Sequence, residues 1–225
     1  MTQSDFINFT TLRKEKQKGS DEALLQFYDA MMNDFQTFPS IREKVRARHI
    51  FQLEMNLEQQ EEIERNWRNH FDHWFIFDYV NVIGTTLFQQ YTKKKIVAVK
   101  EYERHMLGLL LALLFQPYEY VENLSEQEII VQSIDSGVKK NVLLPGKDNT
   151  LFQRGELLWM RIAKSAFHCV SIGPMMTVPT SKKELILYSL QKRQQQFFRK
   201  HPKATIHSYY KASVLLHLKM LKHDK

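Results

Sequence analysis

The sequence predicts an α+β protein in three parts: an N-terminal helical region with an aromatic core block (1–116), a small antiparallel β-barrel or sheet (117–178), and a C-terminal basic helical hairpin (179–225). Three observations carry this. The stretch 71–91, FDHWFIFDYVNVIGTTLFQQY, is too rich in aromatic rings to stand in water, since burying each ring stabilises the fold by roughly 1.5–3 kcal/mol. From Tyr118 onward the apolar spacing changes from the three-four period of helices to short β-branched runs separated by turn residues. Beyond Val178 helical spacing returns, with eleven Lys or Arg against two acids.

Composition narrows the class. With 43% hydrophobic and 25% charged residues among 225, the chain has globular rather than disordered composition and is long enough to bury a core. A single cysteine, Cys169, rules out an intrachain disulfide and a thiolate metal cluster within one chain. The first 18 residues carry charges throughout and no apolar signal-peptide core, and the longest apolar run, 106–115, is half of the about 20 residues that a membrane helix needs. The expectation is a cytoplasmic protein without a transmembrane segment. The net charge of +7 is unevenly spread: 179–225 carries +9, and the remainder, 21 basic against 23 acidic residues, −2. Such asymmetry bears on partners rather than on fold.

In chain order, Ser20 or Asp21 is expected to cap a helix over 22–35, whose Leu24, Leu25, Phe27, Tyr28, Met31 and Met32 form an apolar stripe. Ser40 with Glu43 spells a capping box, and Ile41, Val45, Ile50, Leu53, Leu57, Ile63 and Trp67 continue the spacing, with a break near Asn56. Gly84 marks a turn, and Thr85 or Thr86 opens a short helix carrying Leu87, Phe88 and Tyr91. Tyr102, Met106, Leu109, Leu110 and Leu113 give another helix, which must end before Pro117. Strand runs follow around Tyr118–Val121, Ile129–Val131, Val138–Leu143, Leu157–Ile162 and Phe167–Ile172. Turn chemistry separates them: Asp135, Ser136 and Gly137; Pro145, Gly146, Lys147, Asp148 and Asn149; Gly155; Gly173 and Pro174. Ser125 with Glu128 mimics a capping box, but the β-branched residues that follow favour a strand. Ser181 with Glu184 spells a third box ahead of Leu185, Tyr188, Leu190, Phe197 and Phe198; His201 and Pro202 end that helix, and 209–221 supplies another with Val214, Leu218 and Leu221 on one side.

Four short motifs in the middle of the chain fall in a suggestive order. They are Trp74-Phe75-Ile76-Phe77-Asp78-Tyr79, Gly84-Thr85-Thr86-Leu87, Tyr118-Glu119-Tyr120 and Gly155-Glu156-Leu157-Leu158-Trp159-Met160-Arg161. On these residues, over 71–179, the chain resembles bacterial proteins, largely of unknown function, that occur joined to the SEC-C zinc motif. The resemblance implies a compact β module on a helical base and no established reaction. The zinc motif itself is missing, so metal binding of that kind does not carry over to a chain with Cys169 alone.

Candidate sites were weighed on chemistry. Trp74, Phe77, Asp78, Tyr79, Gly84 and Arg161 are read as structural core. A carboxylate amid aromatic rings is costly unless paired, and Arg161 is the expected partner of Asp78; the competing reading is an acid or base of raised pKa. His70 and His73 could share a metal with Asp72 or Glu64, though a polar rim on the core is the simpler reading. Ser165, Ser171, His168 and Cys169 invite a nucleophile, but no elbow motif surrounds them, and Cys169 reads as a small core residue. No catalytic constellation and no cofactor motif is visible.

The strongest functional signal is the basic segment. Lys182, Lys183, Lys192, Arg193, Arg199, Lys200, Lys203 and Lys211, interleaved with Phe197, Phe198, Tyr209 and Tyr210, suit phosphate contacts and base stacking. The expectation is a non-enzymatic binding protein for RNA or a nucleic-acid-containing assembly, the alternative being a protein–protein adaptor docking on an acidic partner.

Overall fold

The computed structural model describes residues 8–59, 62–146 and 152–222. Five helices come first: α1 (Phe9–Asp34), α2 (Ile41–Glu54), α3 (Arg65–Phe77), α4 (Leu87–Lys95) and α5 (Glu101–Leu111). Five strands follow: β1 (Gln116–Asn123), β2 (Glu128–Ser133), β3 (Lys139–Leu143), β4 (Leu157–Ser165) and β5 (His168–Val178). Three helices close the chain: α6 (Thr180–Lys200), α7 (Ile206–Ala212) and α8 (Val214–Leu221). The expected turn residues Lys147, Asp148 and Asn149 lie outside the described residues.

Side-chain caps set several helix ends. α1 starts earlier than expected because Asn8 accepts from the amides of Thr10 and Thr11 at 3.1 and 3.2 Å. Ser20 and Asp21 therefore lie inside α1, and Asp21 accepts from Ser165 Oγ at 2.5 Å instead of capping anything. Ser40 caps α2 through the Glu43 amide, but the Glu43 carboxylate accepts from the Tyr79 hydroxyl at 2.7 Å rather than reaching back, so the box is only half made. Asn56, at φ 50°, turns the chain after α2. At the next turn Gly84 adopts φ +79°, a region that an L side chain rarely enters, and Thr86 with Gln89 completes a reciprocal capping box for α4. The third box does not form: Pro179 takes the cap position of α6 with no side-chain acceptor to offer, which leaves Ser181 inside the first turn. The single helix expected over 209–221 is divided at Ser213 into α7 and α8.

The strands close into a barrel in the order β1-β2-β3-β5-β4, with β1 pairing back onto β4. Four of the neighbouring pairs are antiparallel; β3 and β5 run parallel, with Val142 opposite Cys169 and Leu143 opposite Val170. The all-antiparallel barrel expected from sequence could not have closed. Strand directions alternate around a ring only if the number of strands is even, so a closed ring of five must contain a parallel pair. Register shifts between Tyr120 and Glu122 and between Trp159 and Arg161 supply the bends that closure requires.

Two cores share one wall. On β4 the even residues Leu158 and Met160 point into the barrel, where they meet Tyr118, Tyr120, Ile129, Val131 and Val142. The odd residues Leu157, Trp159 and Ala163 point outward into a second core with Phe51, Phe71, Trp74 and Phe77, to which Leu190, Tyr209 and Leu218 of the C-terminal helices also belong. Burial on both faces is why β4 opens with four consecutive apolar residues, Leu157–Met160, rather than an alternating pattern. No helix among the described residues is long and apolar enough to cross a membrane.

Candidate functional site

Three charged side chains converge where α3 ends. Asp78 is the C-cap of α3, where the helix dipole disfavours a negative charge, so its carboxylate needs cationic partners. Arg161, an odd residue of β4, reaches out of the barrel wall and donates from Nη2 to Asp78 Oδ2. Both side chains are buried. Arg161 Nη1 has no hydrogen-bond partner among the described residues; the guanidinium instead lies over the rings of Phe115 and Phe77, with centroids at 5.4 and 5.9 Å.

Lys211 of α7 completes the group. Its ammonium stands 3.5 Å from Asp78 Oδ1 and donates to the Phe77 carbonyl at 3.3 Å, which satisfies an orphan acceptor at the end of α3. Burial pulls the pKa of Lys211 below its usual value; Asp78 opposes that shift and Arg161 adds to it. The charge spacing of the sequence counts Lys211 among the phosphate contacts. The one available signal against that was its position in a buried segment, directly after Tyr209 and Tyr210.

Lys211 opens onto a cleft of about 940 Å³ between the 78–89 segment and the α7–α8 segment, lined by Trp74, Phe77, Phe88, Leu111 and Leu215 and also by Glu54. His207 stands at its edge, its pKa lowered by partial burial and by the neighbouring Lys211 charge, with Asp78 acting the other way.

The basic candidates separate into two groups. Lys183 is paired with Glu119 of β1 at 2.8 Å and Lys211 with Asp78, so both are engaged within the fold. Lys192, Arg199, Lys200 and Lys203 are exposed and have no carboxylate within 4.0 Å among the described residues; Lys182 is exposed and Arg193 half-buried. α6 is fixed to the barrel by the Lys183–Glu119 pair and by Gln194, which donates to Asp135 at 3.1 Å.

The interleaved aromatic residues are engaged within the fold, Tyr209 and Tyr210 fully and Phe197 and Phe198 in part. Tyr209 and Tyr210 are fully buried, Tyr210 donating to Asp135 Oδ2 at 2.7 Å and Tyr209 contacting His217, while Phe197 and Phe198 pack against the helical core. Burial won because these rings are what attaches the C-terminal helices to the domain. The aromatic side chain that α6 does expose is Tyr188, 65% accessible and beside Leu185 at 67%. Their spacing with Lys182 and Lys192 on α6 is the signal of this exposed face in the sequence.

The other clusters have structural partners. Ser165 Oγ donates to Asp21, not to His168, whose Nε2 meets Asp21 Oδ2 at 2.9 Å; Gln17 joins the same network by donating to Asp21 and to the Ser165 carbonyl. This geometry docks α1 on the β4–β5 turn and directs the Ser165 hydroxyl to Asp21 rather than to His168. Cys169 faces the barrel interior, and burial pushes its thiol pKa up. His73 pairs with the Tyr28 hydroxyl at 2.6 Å, and His70 sits between Trp67 and Phe115. No group of three metal-ligating side chains occurs among the described residues. No family model, curated protein or solved structure matches the chain.

Proposed function

We propose that this chain is a non-enzymatic binding protein that engages the phosphate backbone of a nucleic acid, RNA foremost, through the outer side of α6. The observation that carries the reading is the exposed set Lys192, Arg199 and Lys200 on α6 with Lys203 in the turn just after it, none with a carboxylate partner among the described residues, on a helix anchored to the barrel. Arg193, half-buried on the same helix, extends this set. Uncompensated cations in a row attract a polyanion by counterion release without reading its sequence. Tyr188 adds one ring for stacking.

The barrel lends an analogy of architecture. The order β1-β2-β3-β5-β4 with a parallel β3–β5 pair is also that of the five-stranded barrels that bind oligonucleotides and oligosaccharides. Architecture alone assigns no function, and the basic side of α6 bears the argument. The resemblance to SEC-C-associated proteins agrees with a β module on a helical base. Leu185, exposed beside Tyr188, favours a second reading in which α6 docks on an acidic protein surface.

The test is purification at low salt with and without nuclease, followed by the ultraviolet absorbance spectrum. A nuclease-sensitive nucleic-acid band that disappears when Arg199, Lys200 and Lys203 become Glu supports the proposal. A clean protein spectrum, with a protein partner recovered instead, supports the adaptor.

A further inference from the structure

The turn between α4 and α5 takes no part in the α6 reading, and its pattern is different. From Lys93 to Lys100 the chain reads KKKIVAVK, four cations enclosing four apolar residues. In water the apolar part of such a turn gains by folding inward. Val99 does so and packs against the helical core. Ile96, Val97 and Ala98 do not: all three are exposed, Val97 at 87%.

The charges around this tip are mixed but not balanced. Lys95 is paired at 3.1 Å with Asp34 at the end of α1. On α5 the Glu103 carboxylate accepts from the Lys100 amide at 2.8 Å, Arg104 donates to the Val99 carbonyl at 3.3 Å, and Glu101 stays exposed. Lys93, Lys94, Lys95, Lys100 and Arg104 therefore stand against Asp34, Glu101 and Glu103, a surplus of two positive charges. Lys94 and Lys100 lie over the rings of Phe38 and Tyr102, and neither they nor Lys93 has a carboxylate within 4.0 Å among the described residues. Cations in the last turn of α4 also answer the helix dipole. That accounts for the lysines and not for the aliphatic tip they enclose.

The arrangement selects among anionic partners. A nucleic acid uses the cations and gains little from an aliphatic tip. A stable interface with an acidic protein needs about 800 Å² on each side, more than a few residues at one turn supply. A bilayer surface takes both parts, the aliphatic tip at the acyl boundary and the cations among anionic headgroups. We propose that the α4–α5 turn docks this protein on anionic lipid surfaces, with Ile96 and Val97 inserting and Lys93, Lys94 and Lys100 meeting the headgroups.

The test is co-sedimentation of the full chain with phosphatidylcholine vesicles, with and without phosphatidylserine, at physiological salt. Because the cations of α6 also attract anionic vesicles, every arm carries Arg199→Gln/Lys200→Gln/Lys203→Gln. Binding that requires phosphatidylserine is expected, with an association constant near that of a single acyl anchor, about 10⁴ M⁻¹. Ile96→Ser/Val97→Ser leaves the charge unchanged and should weaken this binding at least about fivefold while the melting temperature holds. Lys93→Gln/Lys94→Gln should weaken it by about fivefold for each lysine. No vesicle binding, equal binding without phosphatidylserine, or binding undiminished by Ile96→Ser/Val97→Ser would each overturn the proposal, as would a loss of RNA affinity rather than vesicle affinity in Lys93→Gln/Lys94→Gln. The α6 reading stands or falls separately, since its cations at 199, 200 and 203 are absent from every arm.

Discussion

Asp78, at the end of α3, and Arg161, in the middle of β4, form a buried ion pair across 83 residues of sequence. It joins the helical base to the barrel at the point where both cores meet. Replacing one partner leaves the other charge buried and uncompensated, which costs about 3–5 kcal/mol, whereas replacing both with apolar residues of similar volume costs far less. Asp78→Asn and Arg161→Met should each lower the denaturation midpoint strongly, and in a Lys211→Met background, where no ammonium is left facing the gap, the double substitution Asp78→Leu with Arg161→Met should recover much of the loss. Additive effects in that cycle would show that the two side chains do not act as a pair.

Gly173 offers a sharper steric test. It sits at φ +76° within the irregular part of β5, and a Cβ placed there would lie 1.8 Å from the His73 ring. That ring cannot step aside freely, because Tyr28 holds it by a 2.6 Å hydrogen bond. Gly173→Ala should therefore destabilise the fold by at least about 1–3 kcal/mol from backbone strain and collision together. The same substitution should cost less in a His73→Ala background, as measured by urea denaturation. An unchanged cost there would leave only the backbone conformation as the cause.

His217 sets an acid sensitivity. The ring is fully buried against Tyr209 and Trp159, and burial, aided by Arg193, pushes its pKa down from 6.5 to about 3. Between those two values the unfolded chain binds a proton that the folded chain refuses. Stability from this group is therefore complete above pH 6.5 and falls as the pH drops toward 3, with a slope of at most about 1.4 kcal/mol per pH unit. Denaturant titrations from pH 7 to pH 4 should show a steeper loss in the wild type than in His217→Gln, and parallel curves would contradict this assignment.

Tyr188 separates exposed from buried aromatic residues in function. Tyr188→Ala should reduce RNA affinity by about 1–3 kcal/mol, the worth of one stacked base, at unchanged thermal stability. Tyr209→Ala should do the reverse, lowering the melting temperature because its ring is buried in the helical core. RNA binding undiminished by Tyr188→Ala would remove stacking from the account and leave phosphate contacts alone.

Much of the architecture was legible in the sequence. The change of spacing at Tyr118 marked the barrel, Gly84 and Thr86 marked their turn and cap, and Asp78 amid aromatic rings already demanded a cation. What escaped was non-local. Nothing near Asp21 distinguishes a helix cap from a side chain that bonds to Ser165 from across the fold. The parallel β3–β5 pair follows from the parity of a closed ring, but only once the ring is known to close on five strands. In the basic segment, charge spacing does not reveal which cations are already paired. Lys183 and Lys211 answer carboxylates on β1 and α3, far away in sequence.

The most direct test of the central claim is a salt titration of RNA affinity. Fluorescence anisotropy of a labelled single-stranded RNA should report binding at about 50 mM salt that falls steeply toward about 200 mM. The variant Arg199→Glu/Lys200→Glu/Lys203→Glu should bind more weakly at every salt concentration, with a shallower slope because fewer counterions are released. No binding at the lower salt, or a slope that the triple substitution leaves unchanged, would contradict the assignment of α6 as a nucleic-acid interface.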